Sequence, residues 1–423
     1  MRSKSTMAPC GAHDAAASPG HAMSGLTDVD SCLRAYADGS YLFASPTITL
    51  VARGEALTLD DHHDGRLPAH ARALLENARK HGVAQPILIG MVPFDARQPA
   101  RLIVPETYLR AAPLRHAASP ERREADAHAV SQRLVPAPSE FEKAVEQALR
   151  RLDDAGSGLD KVVLARTLEI ELAQPLDRLG LLRNLLAGNQ HGYTYAIRLA
   201  ASGSNAAGPS GAAEDFIGAT PELLVRREGS RVIVNPLAGT AARHADPQRD
   251  AEIGQALLQS AKDRYEHAVV IDDVVRVLQP FCSSLEIPPG PALTRTDTLW
   301  HLSTTIHGEL RDPTTHSLEL ALAMHPTPAV CGQPRQAAFD LITQLESFDR
   351  GYYAGMVGWC DAQGDGEWAV ALRCARCSEK SLTLYAGAGI VSGSEPAKEL
   401  AETGNKFRTM LNAIGLDCPV STH

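Results

Sequence analysis

No run of about 18 apolar residues occurs, so nothing in the sequence is expected to span a bilayer. Positive charge is not in excess: 41 Lys and Arg stand against 50 Asp and Glu, a formal net charge of −9. That balance argues against nucleic acid as the main partner, because counterion release needs clustered cations. Cysteine is sparse, eight in 423 residues, which is too few for a disulfide scaffold. Cys374-Ala-Arg-Cys377 has the spacing of half a zinc site, but no second CxxC or HxxxH pair completes it. Reduced, structural thiols are expected there. Arg2 and Lys4 are not followed by an apolar stretch, so the start does not read as a secretory signal. What is present, 44% hydrophobic and 22% charged residues, excludes wholesale disorder. A cytoplasmic enzyme or binding protein is the expectation.

The length allows two or three domains at roughly 150 residues each, or one large mixed unit. Residues 1–28 are rich in Ala, Gly, Ser and Pro without periodicity, and are expected to form a disordered tail. Strand-like runs at 41–45 and 48–52 are bounded by Gly39 and Gly54. An amphipathic helix at 68–81 and a buried strand at 86–92 follow. A polar stretch at 117–138 leads to a helix at 139–152, which opens with Ser139-Glu-Phe-Glu142, a capping-box spacing. The low-complexity segment 200–215 reads as a surface insertion. A hairpin is expected over 216–235, turning at Glu228-Gly-Ser230, with helices at 249–281, 317–322, 334–347 and 397–414. Strands at 367–377 and 381–386 precede a Gly387-Ala-Gly389 turn. The fold class is α+β, with large twisted sheets and helices packed outside them.

Several residues could carry chemistry. A period-two strand over 367–377 places Arg373 among Ala369, Ala371 and Ala375, where a guanidinium could grip a carboxylate bidentately or pair with a structural acid. Asp263 and Glu266 lie three apart on one helix, and Glu399 and Glu402 do the same on another. Like charges at that spacing repel unless a cation relieves them, and Mg²⁺ accepts one or two carboxylates. From spacing alone the better reading is a solvated face, with Glu402 paired to Lys406 at i+4. Lys161 opens an apolar strand and could be a desolvated general base or a lysine snorkelling into water. Glu222 follows Pro221 and could be a positioned acid. Gly387-Ala-Gly389 and Pro236-Leu-Ala-Gly-Thr240 read as tight turns able to aim N–H groups at an anion. Neither completes a dinucleotide or Walker loop. His301 alone reads as a core histidine.

The order of these segments says more than any one of them. Lys161-Val-Val-Leu-Ala-Arg166, Gly218-Ala-Thr-Pro-Glu222, Pro236-Leu-Ala-Gly-Thr240, Lys262-Asp-Arg-Tyr-Glu-His267, Leu299-Trp-His-Leu302, His325-Pro-Thr-Pro-Ala-Val330, Gly387-Ala-Gly-Ile390 and Glu399-Leu-Ala-Glu-Thr-Gly-Asn-Lys406 together resemble the chorismate-utilising enzymes. The resemblance spans about 139–416 and implies an antiparallel-rich, sandwich-like core. It also implies a catalytic region over 139–418, forming one compact domain with a variable 29–138 part. Gly358-Trp-Cys-Asp-Ala-Gln-Gly-Asp-Gly-Glu-Trp368 looks most like the siderophore-type isochorismate synthases. The family's Ser-Pro-Glu is Thr220-Pro-Glu222 here.

The resemblance implies that Lys161 activates a water against C2 of chorismate while Glu222 protonates the departing 4-hydroxyl. It implies Mg²⁺ on Glu266 and Glu402, with Asp263 and Glu399 around its water shell. Arg373 and Tyr353 would contact the enolpyruvyl carboxylate beside the Gly387 and Gly389 backbone, and Gly239, Thr240, His301, Ala329 and Lys406 would line the remainder. A protein of net −9 can hold this dianion only by concentrating cations locally. The expected activity is isochorismate synthesis, feeding 2,3-dihydroxybenzoate, salicylate or siderophore formation. Salicylate synthesis, with pyruvate elimination, is the rival, and a silent chorismate-binding protein is the non-enzymatic one. Chorismate is the expected partner, without nucleic acid or membrane, in a monomer or weak homo-oligomer.

Overall fold

The computed structural model describes residues 27–36, 39–62, 65–95, 97–114, 127–154, 156–199 and 214–419. The expected tail, up to residue 26, and the 200–215 insertion, up to residue 213, lie outside the described residues. Among the described residues, antiparallel pairing builds a ten-stranded sheet, a nine-stranded sheet and a small three-stranded one. The middle of the ten-stranded sheet runs Lys161–Leu172, Ser381–Ile390, Cys374–Cys377, Asp215–Thr220, Tyr193–Arg198, Tyr41–Ala44. The nine-stranded sheet runs through Arg231–Asn235, Leu223–Glu228, Gly366–Val370, Met356–Asp361 and Ile87–Val92.

Alternation along the strands separates two cores. Tyr195, Phe216 and Cys374 point into an apolar cluster shared with Ile89, Val225 and Trp368 of the other sheet. Their neighbours Ala196, Ile217 and Ala375 join a second cluster with Leu181 and Leu185 of the Arg178–Gly188 helix and Phe407 and Leu411 of the Pro396–Ile414 helix. Full burial of each such leucine or phenylalanine stabilises the fold by roughly 1.5–3 kcal/mol. Among the described residues no helix is long and apolar enough to cross a membrane.

The feature that positions the site is a pair of crossings between the two large sheets. Asp215–Thr220 belongs to the ten-stranded sheet and Leu223–Glu228 to the nine-stranded one, so the chain changes sheet at Pro221-Glu222. Gly366–Val370 and Cys374–Cys377 divide in the opposite sense, at 371–373. The crossings run side by side: Ala219 N donates to Arg373 O (3.0 Å), and Val370 N donates to Glu222 O (3.1 Å).

This corrects two expectations. The 367–377 segment is two strands, broken where Arg373 takes a left-handed φ of 47°, and the 216–235 hairpin proper begins only at Leu223. The helix expected over 249–281 is also divided, into Pro247–Gln259 and Ala261–Leu278, because Ser260 caps the second by accepting from Asp263 N (3.3 Å). Gly387 and Gly389 lie inside the Ser381–Ile390 strand, and Gly239 inside Leu237–Ala242 at a register shift, so neither segment is a simple turn. The cap of Pro138–Leu152 is set two residues earlier than expected, with Ala137 N donating to Glu140 (3.1 Å). The polar stretch before it contains the strand Ala129–Val135.

Candidate active site

A cavity opens beside the two crossings. Glu222, Gly239, Thr240, Glu266, His301, Ala329, Tyr353, Arg373, Gly387, Gly389, Glu402 and Lys406 all line it, brought together from seven strands or turns and two helices. Val163, Leu237 and Leu372 add apolar wall that the sequence reading did not single out. Lys161, Asp263 and Glu399 are not in the lining.

Lys161 begins the Lys161–Leu172 strand and is 0% exposed, so it does not snorkel into solvent. Its Nζ lies 3.0 Å from Glu266 Oε1. Gly389 is what allows this approach: a Cβ there would come within 2.2 Å of Glu266 Oε1 and 3.0 Å of Lys161 Cε. Gly387 similarly leaves room for the Tyr353 hydroxyl, which would lie 2.8 Å from an added Cβ. The Tyr353 ring stacks on Tyr385 at 5.2 Å between centroids.

The helical acids are each matched to a cation or hydroxyl. Lys262 Nζ donates to Glu399 Oε1 (2.7 Å), and Ser260 Oγ donates to Asp263. Lys406 Nζ donates both to Glu402 Oε1 (2.6 Å) and to Gly387 O (2.7 Å). The i+4 pairing expected of a solvated face is thus present, yet Glu402 and Lys406 also form cavity wall. Lys262 was not picked out by sequence reasoning, although its place next to Asp263 was visible.

Burial dominates the titration of these groups, and local charge then sorts them. Glu222 is pushed up to about 7 by burial, against relief from a hydrogen bond to the Leu237 backbone and from the Lys161, Arg373 and Lys406 charges. For Glu266 burial raises the value, but Lys161, Lys262 and Lys406 outweigh it and hold the carboxyl below its usual range. Asp263 and Glu399 are raised by burial, and repulsion from neighbouring carboxylates adds to it. Burial, reinforced by the Arg373 and Lys406 cations, keeps His301 well below an ordinary histidine, so the ring is neutral. Its Nδ1 shares a hydrogen bond with Thr240 Oγ1 (3.2 Å), while its buried Nε2 has no hydrogen-bond partner among the described residues.

Arg373 is 7% exposed and, among the described residues, forms no side-chain hydrogen bond or ion pair. Among the described residues, the structural acid considered as its partner is therefore not found. Its left-handed backbone costs about 1–3 kcal/mol for a non-glycine residue, a strain typical of functional positions. The arrangement combines a buried amine, a carboxyl poised near neutrality, an unpaired guanidinium and crowded carboxylates. It suits acid–base chemistry on an anionic small molecule.

Comparison with known proteins points to one family. The family model described as chorismate binding enzyme matches residues 84–415. Isochorismate synthase DhbC of Bacillus subtilis (strain 168) is 44% identical over 396 residues, covering 92% of this chain and 97% of the relative. The vibriobactin-specific isochorismate synthase of Vibrio cholerae serotype O1 is 40% identical over 382 residues, covering 89% and 92%. The crystal structure of DhbC from Bacillus anthracis superposes with a TM-score of 0.86 at 42% identity, covering 92% of this chain and all of that one. The chain belongs to the chorismate-binding enzyme family.

Proposed function

We propose that the protein converts chorismate to isochorismate. The observation that carries the reading is a fully buried lysine, Lys161, ion-paired to Glu266 of the cavity wall, together with a carboxyl of the same cavity, Glu222, that burial pushes up to about 7. Lys161 takes a proton from water as it attacks C2. Glu222, which burial pushes up to about 7, gives its proton to the leaving 4-hydroxyl. Arg373 has its donors free for the enolpyruvyl carboxylate, with Tyr353 at its side. Lys406 and the neutral His301 orient the ring, and Gly239, Thr240, Ala329, Gly387 and Gly389 shape the walls. The names of the relatives support a route toward 2,3-dihydroxybenzoate-type siderophores.

The residues also fit Mg²⁺. Glu266 and Glu402 would hold it, with Asp263 and Glu399 around its waters. Their donors are all carboxylate oxygens, the choice of a hard cation. Burial raises Asp263 and Glu399, and repulsion from neighbouring carboxylates adds to it, so a further cation there would relieve crowded acids. Among the described residues no group of three or more His, Cys, Asp or Glu forms a ready cage, which leaves the mode with one or two carboxylates plus water and substrate oxygen. Bound there, the ion would anchor a substrate carboxylate and compete with the Lys161 ammonium for Glu266.

The test is incubation with chorismate and Mg²⁺, with products separated by chromatography. Isochorismate alone is expected. Pyruvate and fluorescent salicylate, formed without a second enzyme, would replace this reading with salicylate synthesis. Absence of any product would favour a silent binding protein.

A further inference from the structure

The outer edge of the Lys161–Leu172 strand is covered in two pieces. Gly332–Gln333 pairs with Lys161 and Val162, and Ala129–Val135 pairs from Thr167 onward. Between them the ladder has a gap, and a buried ion pair fills it. Arg350 Nη2 donates to Val163 O (2.7 Å), and Ala165 N donates to Glu346 Oε1 (2.8 Å). Arg350 Nε in turn donates to Glu346 Oε2 (2.8 Å). One guanidinium and one carboxylate thus supply the donor and acceptor that a neighbouring strand would have offered.

The same arginine reaches two other walls of the cavity. Its Nη1 donates to Val330 O (2.8 Å), next to Ala329. Its own carbonyl accepts from Tyr353 N (2.9 Å), and its guanidinium lies over the rings of Phe94 (4.4 Å) and Tyr353 (5.9 Å). Val163, Val330 and Tyr353 all line the cavity, whereas Arg350 and Glu346 do not.

We infer that the Arg350–Glu346 pair is a positioning device: it sets where the Lys161 strand, the Ala329–Val330 segment and Tyr353 stand relative to one another, and acts on turnover through Lys161. The inference rests on the proposed reading of Lys161 as the base. A pair that merely held the fold together would affect stability without a specific effect on turnover. Lysine at 350 keeps the charge but cannot reach Glu346, Val163 O and Val330 O at once from one ammonium. Glutamine at 346 keeps the acceptor for Ala165 N and removes the charge.

The experiment measures kcat, KM, the pH profile of kcat and thermal unfolding for the parent, Arg350→Lys, Glu346→Gln, Lys161→Ala and the two double variants with Lys161→Ala. For folded Arg350→Lys and Glu346→Gln, kcat is expected to fall by about 100-fold, the scale of an ångström misplacement, with KM changed by much less. In the Lys161→Ala background the same changes should add less than about threefold to the loss, since residues acting as one unit are not additive. Full additivity in that background, or kcat and pH profile unchanged in the folded single variants, overturns the inference. If Arg350→Lys fails to fold, the shape-preserving Glu346→Gln decides alone by the same criteria. A parent that does not turn over chorismate would instead overturn the functional reading, so the two failures are distinguishable.

Discussion

Glutamine in place of Glu222 preserves shape and removes the titrating proton, and it should alter activity and stability in opposite directions. The carboxyl is displaced from 4.5 to about 7 by burial, against the opposing Leu237 backbone bond and nearby cations. A separation of that size corresponds to about 3 kcal/mol between the two protonation states. Folding raises the affinity of this carboxyl for its proton. Its contribution to stability is therefore fully present below about 4.5 and is lost as pH rises through about 7. The Glu222→Gln variant has nothing to lose in that window. Relative to the parent, it should gain up to about 3 kcal/mol between pH 5 and pH 8.5, read from denaturant unfolding at each pH. Its turnover should drop by about 10²–10⁴-fold, the usual contribution of a positioned acid. The parent's kcat/KM should decline as pH rises through about 7, and the residual activity of the variant should lack that limb. A variant that retains the limb, or whose stability tracks the parent's at every pH, would refute the assignment of Glu222 as the buried acid.

Lys161→Ala should lower kcat by at least about 100-fold in a chorismate turnover assay; parent-like activity would remove it as the base. Glu402→Gln should raise the Mg²⁺ concentration needed for half-maximal activity by about tenfold or more, and unchanged metal dependence would show that this acid serves only Lys406. Gly389→Ala should lower turnover by about 100-fold, because its Cβ would displace Glu266 Oε1 from 2.2 Å and Lys161 Cε from 3.0 Å. A folded alanine variant with parent activity would mean that the crowding behind the strand is irrelevant to catalysis.

Much of this site could be read before the coordinates, and the exceptions have physical causes. Spacing placed Asp263 with Glu266 and Glu399 with Glu402 on common helix faces, and the apolar run after Lys161 marked a strand. The ordered motifs, rather than any one spacing, tied these to Arg373, Tyr353 and His301. The change of sheet at Arg373 was hidden because small and apolar residues flank it on both sides, Trp368 to Leu372 before it and Cys374-Ala375 after it, with no glycine or proline to mark the break. Gly387-Ala-Gly389 suggested a turn because glycine commonly serves turns. Here it serves the interior of a strand, where Glu266, Lys161 and Tyr353 crowd the space a side chain would need. Salt-bridge partners such as Lys262 for Glu399 lie far apart in sequence and depend on how the two helices meet. The Arg350–Glu346 pair has ordinary helix-like spacing and betrays its role only through the gap it fills.

The two adjacent crossings give this fold a mechanical property. Glu222 and Arg373 sit on short tethers riveted to both layers of the sandwich, so any shear of one sheet against the other must be felt at those two side chains. Replacements deep in the interlayer packing, remote from every reacting atom, would therefore register as altered kinetics while the molecule was still comfortably folded.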